Sequence, residues 1–96
     1  MINIMYNSEL IKLEISGHAG FAEKGKDIVC AAVTALAGTL ERCMEETGEG
    51  NCEWKEGEIC FTASGTENLR PCFETVVTGL QLLAEEFPDY VNIRSD

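Results

Sequence analysis

The only histidine and one of the five cysteines lie close together in a glycine-punctuated stretch, Gly17 to Val33. His18 follows an alternating apolar run that predicts a strand, and Cys30 falls in the first turn of a predicted helix. A strand end and a helix start can face each other across the loop between them. An imidazole beside a thiol is the arrangement that activates a cysteine for nucleophilic catalysis. We therefore predict that Cys30 is a nucleophile and that His18 is its base.

The residue before the predicted helix strengthens this interpretation. Asp27 fits the N-cap position, so that Cys30 becomes the third helical residue. The helix dipole and the unpaired N–H groups of a first turn favour thiolate over thiol, and a nearby imidazolium favours it further. These N–H groups, including that of Cys30, are expected to bind an oxyanion. Asp27 is also a candidate for orienting His18, although capping is the favoured role.

A structural role for both residues is the alternative, because cysteine is among the most buried residue types. Two features favour a catalytic role over a structural one. Cys30 lies about 100° around the helix axis from Val29, at the edge of the predicted apolar stripe and not inside it. The loop also contains Gly17, Gly20 and Gly25, which permit backbone conformations closed to other residues. We therefore treat these glycines as supporting residues of the site.

The motif closely resembles the signature of the bacterial ribosomal-processing cysteine proteases. The resemblance is carried by three segments: Gly17-His18-Ala19, Gly25, and the run from Asp27 to Val33. The late Gly79-Leu80 pair and Tyr90 extend it over most of the chain. One departure is Thr34, where the family pattern leads us to expect a serine, and a hydroxyl is kept.

The resemblance implies that residues 1–96 form a single cysteine protease domain with His18 and Cys30 as the catalytic pair. Members of this family are small, are largely dimeric and remove a short N-terminal extension from L-twenty-seven, a ribosomal protein of the large subunit. The implied substrate is therefore a ribosomal protein precursor peptide, the implied assembly is a homodimer, and no cofactor is required. A chain of 96 residues has a small core, which a dimer would help to stabilise.

Composition and charge limit the other functions. Seventeen acidic and seven basic residues give a net charge of −10, which argues against direct nucleic acid binding and suits a basic partner. The N-terminus lacks the pattern of a signal peptide, and no apolar run approaches the ~18 residues of a membrane span. We therefore expect a cytoplasmic protein with no membrane partner.

The remaining cysteines give a weak metal signal. Cys43, Cys52, Cys60 and Cys72 are separated by 9, 8 and 12 positions, without a Cys-x-x-Cys pair. With Cys30 the chain has five cysteines, an odd number, and we expect a reducing compartment. Both observations favour free thiols over disulfides. Two alternatives to the protease stay open here. One is a non-enzymatic ribosome-associated binding domain, and the other is a metal-binding module that uses His18 and several cysteines.

Apolar periodicity predicts the scaffold. Alternation predicts one hairpin before the loop and a second around Lys55 to Glu58, and Val91 with Ile93 suggests a last short strand. Helix one should run from Ile28 to about Glu46, and Asn68 can cap helix two, which Pro88 ends. The order β-β-α-β-β-α-β predicts an α+β fold with an antiparallel-rich sheet and two helices packed on one face. The half from Gly48 to Asp96 shows no cluster that suggests catalysis.

Overall fold

The computed structural model describes residues 1–23 and 26–96, and its chain order confirms the predicted β-β-α-β-β-α-β arrangement. A 3-10 turn, Glu67–Leu69, precedes the second helix. The elements are β1 Ile2–Asn7, β2 Lys12–Gly17, α1 Ile28–Thr47, β3 Asn51–Lys55, β4 Glu58–Thr62, α2 Arg70–Glu86 and β5 Val91–Ser95.

The five strands form one sheet in the order β3-β4-β2-β1-β5. All neighbouring pairs are antiparallel except β1 and β5, which run parallel. Strand β2 therefore lies at the centre of the sheet, and its last residue, Gly17, reaches the same edge as the turn between β3 and β4. The N–H of Gly17 donates to the carbonyl of Gly57 in that turn at 2.9 Å. This bond places the end of β2 beside the second hairpin.

The core lies between one face of the sheet and the two helices, as the apolar periodicity predicts. The alternate strand residues that face the helices are buried: Ile2, Ile4, Tyr6, Leu13, Ile15, Phe61 and Val91. They meet the buried stripes of α1 (Val29, Val33, Ala37, Leu40, Met44) and α2 (Phe73, Val76, Val77, Leu80). The antiparallel-rich α+β fold with both helices on one face is confirmed.

Helix α1 begins and ends where its capping residues predict. The Asp27 carboxylate accepts a hydrogen bond from the N–H of Cys30 at 2.9 Å, and Gly48 closes the other end with a φ of 70°. Ile28 is therefore the first helical residue and Cys30 the third. The predicted position of the thiol at the helix N-terminus is confirmed.

Helix α2 begins differently from the prediction. Asn68 does not cap it, because Asn68 lies within the 3-10 turn and Leu69 occupies the N-cap position without a side-chain hydrogen bond. Arg70 instead ties this region to the first hairpin by donating to the carbonyl of Ser8 at 2.7 Å. Over the described ranges, neither helix is both long and apolar enough to cross a membrane.

Candidate active site

His18 and Cys30 line the same cavity, which has a volume of about 180 Å³. The end of β2, the start of α1 and the β3–β4 hairpin surround it. Besides these two residues its lining consists of Ile2, Ile15, Gly17, Val33, Thr34, Trp54, Lys55, Gly57, Glu58 and Ile59. The two residues that the sequence singled out thus line one cavity, together with aliphatic, aromatic and polar side chains.

Two glycines shape the surroundings of His18, one before it in the chain and one beside its imidazole. Gly17 has a φ of 88°, and a Cβ at this position would collide with the carbonyl oxygen of Met1. The predicted need for glycine at this position therefore has a steric cause. On the other side, a Cβ on Gly57 would lie 3.9 Å from Nε2 of His18. The imidazole is exposed to solvent and lies against the glycine turn of the second hairpin.

Cys30 is half-buried, and its sulfur faces the loop that follows His18. The N–H of Ala19 donates to Sγ of Cys30 at 3.3 Å. The N–H of Cys30 itself donates to Oδ1 of Asp27. The expectation that this N–H binds an oxyanion is therefore wrong for this conformation, because the cap already occupies it. The N–H that points at the sulfur comes from the loop, not from the helix.

Asp27 uses both carboxylate oxygens for backbone bonds. Oδ1 accepts from Cys30, and Oδ2 accepts from the N–H of Phe21 at 3.1 Å. These N–H groups, that of Cys30 first, hold the pKa of Asp27 below its usual value. The favoured capping role is confirmed, and the carboxylate joins the helix start to the loop.

The other supporting glycines are only partly described. Gly20 has a φ of 70°, a conformation that favours glycine, and its surroundings are open. Gly25 lies outside the described residues, so its predicted role stays a prediction. Thr34, the departure from the family pattern, lines the cavity one helical turn after Cys30.

The second hairpin forms one wall of the cavity, which the sequence pattern did not indicate. We expected no catalytic cluster after Gly48, and Trp54, Lys55 and Gly57 line the cavity without having been singled out. The Trp54 indole is fixed by donating to Oε2 of Glu41 on α1 at 2.7 Å. A signal was present, because Trp54 is the only tryptophan and 45% of its surface stays exposed.

Three of the other four cysteines lie where ionisation is disfavoured. Burial, and then the nearby Glu41 carboxylate, raise the pKa of Cys52 to about 11. Burial also raises the pKa values of Cys43 and Cys60. Within residues 1–23 and 26–96, no group of three or more His, Cys, Asp or Glu side chains is arranged to hold a metal ion.

Known proteins are similar to this chain in sequence and in fold. The profile of a family described as cysteine protease Prp matches residues 1–92. The ribosomal processing cysteine protease Prp of Bacillus subtilis is 48% identical over 102 residues, which cover 95% of this chain and 90% of that protein. The protein of the same name from Mycoplasma genitalium is 31% identical over 108 residues, covering 99% of this chain and 94% of its own length.

A solved structure supports the fold. The essential ribosomal processing protease Prp from S. aureus, in complex with a covalently linked product peptide, superposes with a TM-score of 0.88 over 100% of both chains at 23% identity. At this identity the likeness concerns the arrangement of strands and helices. The family profile, the two relatives and the solved structure therefore each match almost the whole chain.

Proposed function

This chain belongs to the cysteine protease Prp family, and we propose that it is an endopeptidase that removes a short N-terminal extension from a large-subunit ribosomal protein precursor. The observation that carries the proposal is the shared cavity of His18 and Cys30 in a member of this family. The relatives from B. subtilis and M. genitalium are both named ribosomal processing proteases. A non-enzymatic binding domain would not need a thiol and an imidazole in one cleft.

We assign catalysis to a pair formed by His18 and Cys30. His18 accepts the thiol proton, and Sγ of Cys30 forms a bond to the scissile carbonyl carbon. The C–N bond then breaks, and protonated His18 delivers the proton to the leaving amine. Water hydrolyses the resulting thioester, with His18 as base, and regenerates the thiol. The exposed imidazole and the half-buried sulfur are both accessible to a peptide from the cavity.

The backbone N–H of Ala19 is a hydrogen-bond donor in contact with the proposed nucleophile. It points at Sγ of Cys30, and a hydrogen bond of this kind is stronger when the sulfur is a thiolate than when it is a thiol. We propose that the same N–H also stabilises the negative charge that develops on the carbonyl oxygen during attack. This is the role that the sequence predicted for the N–H of Cys30.

The charge of the chain suits the proposed substrate. Ribosomal proteins are basic, and the net charge of −10 attracts a basic precursor while it repels nucleic acid. The aliphatic residues and Trp54 that line the cavity suit an apolar substrate side chain next to the scissile bond. We further propose that the protein acts in the cytoplasm, since ribosomes assemble there. We also propose that it is a homodimer and that it needs neither a cofactor nor a membrane partner.

Incubation with the large-subunit precursor from the same genome tests this function. The expected result is a single cut near the N-terminus of the precursor, located by mass spectrometry of both products. The matched control is Cys30→Ala, which keeps the fold and removes the sulfur. An intact precursor after incubation with the wild-type protein, or an equal cut by the control, contradicts the proposal.

A further inference from the structure

Phe21, in the loop after His18, docks on two aromatic residues from the far end of the chain. Its ring centroid lies 5.7 Å from that of Phe87 and 5.2 Å from that of Tyr90. The interplanar angles of 82° and 75° are edge-to-face, the arrangement that aromatic quadrupoles favour. Phe87 is the C-cap residue of α2, and Tyr90 precedes β5. A loop residue beside the site is therefore held by the segment that joins α2 to the sheet.

Phe87 and Tyr90, which we call the aromatic platform, are held in place by backbone hydrogen bonds. The N–H of Phe87 donates to the carbonyl of Leu83 at 2.8 Å, and the N–H of Tyr90 donates to the carbonyl of Phe87 at 3.0 Å. The carbonyl of Tyr90 accepts from Ile2, the first residue of β1, at 2.8 Å. Backbone bonds thus join the platform to both α2 and the sheet, so that Phe21 docks on a rigid surface.

The backbone of Phe21 is held as well as its ring. Its N–H donates to Oδ2 of Asp27, the carboxylate that caps α1 through Cys30. Two residues earlier, the N–H of Ala19 lies on Sγ of Cys30, and the Ala19 side chain is buried. Only the exposed Gly20 separates these two anchored residues. The docking of Phe21 therefore fixes one end of the short segment that carries the donor to the sulfur.

We propose that Phe21 is a positioning residue, which keeps the Ala19 N–H on the Cys30 sulfur by docking edge-to-face against Phe87 and Tyr90. Phe21 does not line the cavity that His18 and Cys30 share, and it acts through Ala19. The inference rests on the proposed function in one respect, the role of Cys30 as nucleophile. Phe21 is 39% exposed and lies outside the hydrophobic core, so removal of its ring should leave the core filled.

The test measures the rate at which iodoacetamide alkylates Cys30 at pH 7, read by peptide mapping. We expect Phe21→Ala to lower this rate about tenfold, the size of coupling found between contacting residues. Phe21→Tyr keeps the ring and should restore the rate. Tyr90→Ala should lower the alkylation rate as much as Phe21→Ala does. The double variant should react only slightly more slowly than either single variant. Precursor cleavage should fall in kcat with KM nearly unchanged.

Leu10→Ala is the matched control, since Leu10 is an exposed apolar residue in the β1–β2 turn, at the end of β2 away from His18. It should leave alkylation and cleavage as in the wild type. A Phe21→Ala protein that alkylates at the wild-type rate or faster, or additive losses in the double variant, would overturn the inference. Alkylation needs no substrate. Failure to cut the precursor therefore counts against the proposed function alone.

Discussion

The N–H of Ala19 lies 3.3 Å from Sγ of Cys30, so the loop that follows His18 returns to the helix that carries the thiol. The capping bond from Cys30 to Asp27 removes the helix's own third N–H from the site. The electrostatics of the sulfur are therefore set by a loop donor together with the helix dipole.

Removal of either member of the proposed pair should stop precursor cleavage. We expect Cys30→Ala to be inactive and His18→Ala to lose about 10²–10⁴ in kcat, the range that a positioned general base supplies. The fold should persist, because His18 is exposed and Cys30 is only half-buried. Circular dichroism checks the fold and a discontinuous cleavage assay checks the activity. Wild-type cleavage by either variant would rule out the pair.

Among the five thiols, Cys30 should react first with an alkylating agent at neutral pH. Cys52 should be among the slowest, because a pKa of about 11 leaves about one thiolate in ten thousand at pH 7. Glu41→Gln removes the carboxylate that helps to raise this pKa and should speed the labelling of Cys52. Timed labelling and peptide mapping give the order. Labelling of Cys72 as fast as Cys30 would contradict the prediction of a single activated thiol.

The Asp27 cap should make stability depend on acid pH. The folded-state pKa of Asp27 lies below its unfolded value, so the stabilisation is complete above the unfolded value, near 4, and is lost as pH falls through the folded one. Asp27→Ala should lower the melting temperature by several degrees at pH 7. Between pH 5 and pH 2 the melting temperature of this variant should fall by less than that of the wild type. Asp27→Asn keeps a capping acceptor and should melt above Asp27→Ala. Equal acid sensitivity of all three would refute the role.

The small core predicts a homodimer in solution. Light scattering at micromolar concentration should give twice the chain mass of 10.5 kDa. A concentration-independent mass of one chain would refute this.

The fold was predictable because the apolar spacing is unambiguous. Alternation through Ile11, Leu13 and Ile15 predicted β2, and the one-sided stripe after Asp27 predicted α1 with its cap. Asn68 misled because a 3-10 turn shifts the helix start to Arg70. Local capping preference cannot detect such a turn, which depends on contacts such as that between Arg70 and Ser8.

The candidate site was predictable only in part. Residue type, spacing and the family resemblance pointed to His18 and Cys30, and the structure places both on one cavity. The free N–H of Cys30 was a wrong expectation, because an N-cap side chain bonds the N–H of the third helical residue and Asp27 was already the predicted cap. The Trp54 wall and the docking of Phe21 on Tyr90 join segments far apart in the chain. Such contacts follow from the strand order, which the local pattern leaves open.

Covalent labelling by a substrate-like inhibitor tests the central claim, that Cys30 attacks the peptide with His18 as base. The reagent is a peptide chloromethyl ketone that ends at the residue before the cleavage site of the precursor. We expect one equivalent to attach to Cys30, with complete loss of cleavage, and His18→Ala to slow the attachment at least about 100-fold. Attachment to any other cysteine, or full cleavage by the stoichiometrically labelled protein, would contradict the account.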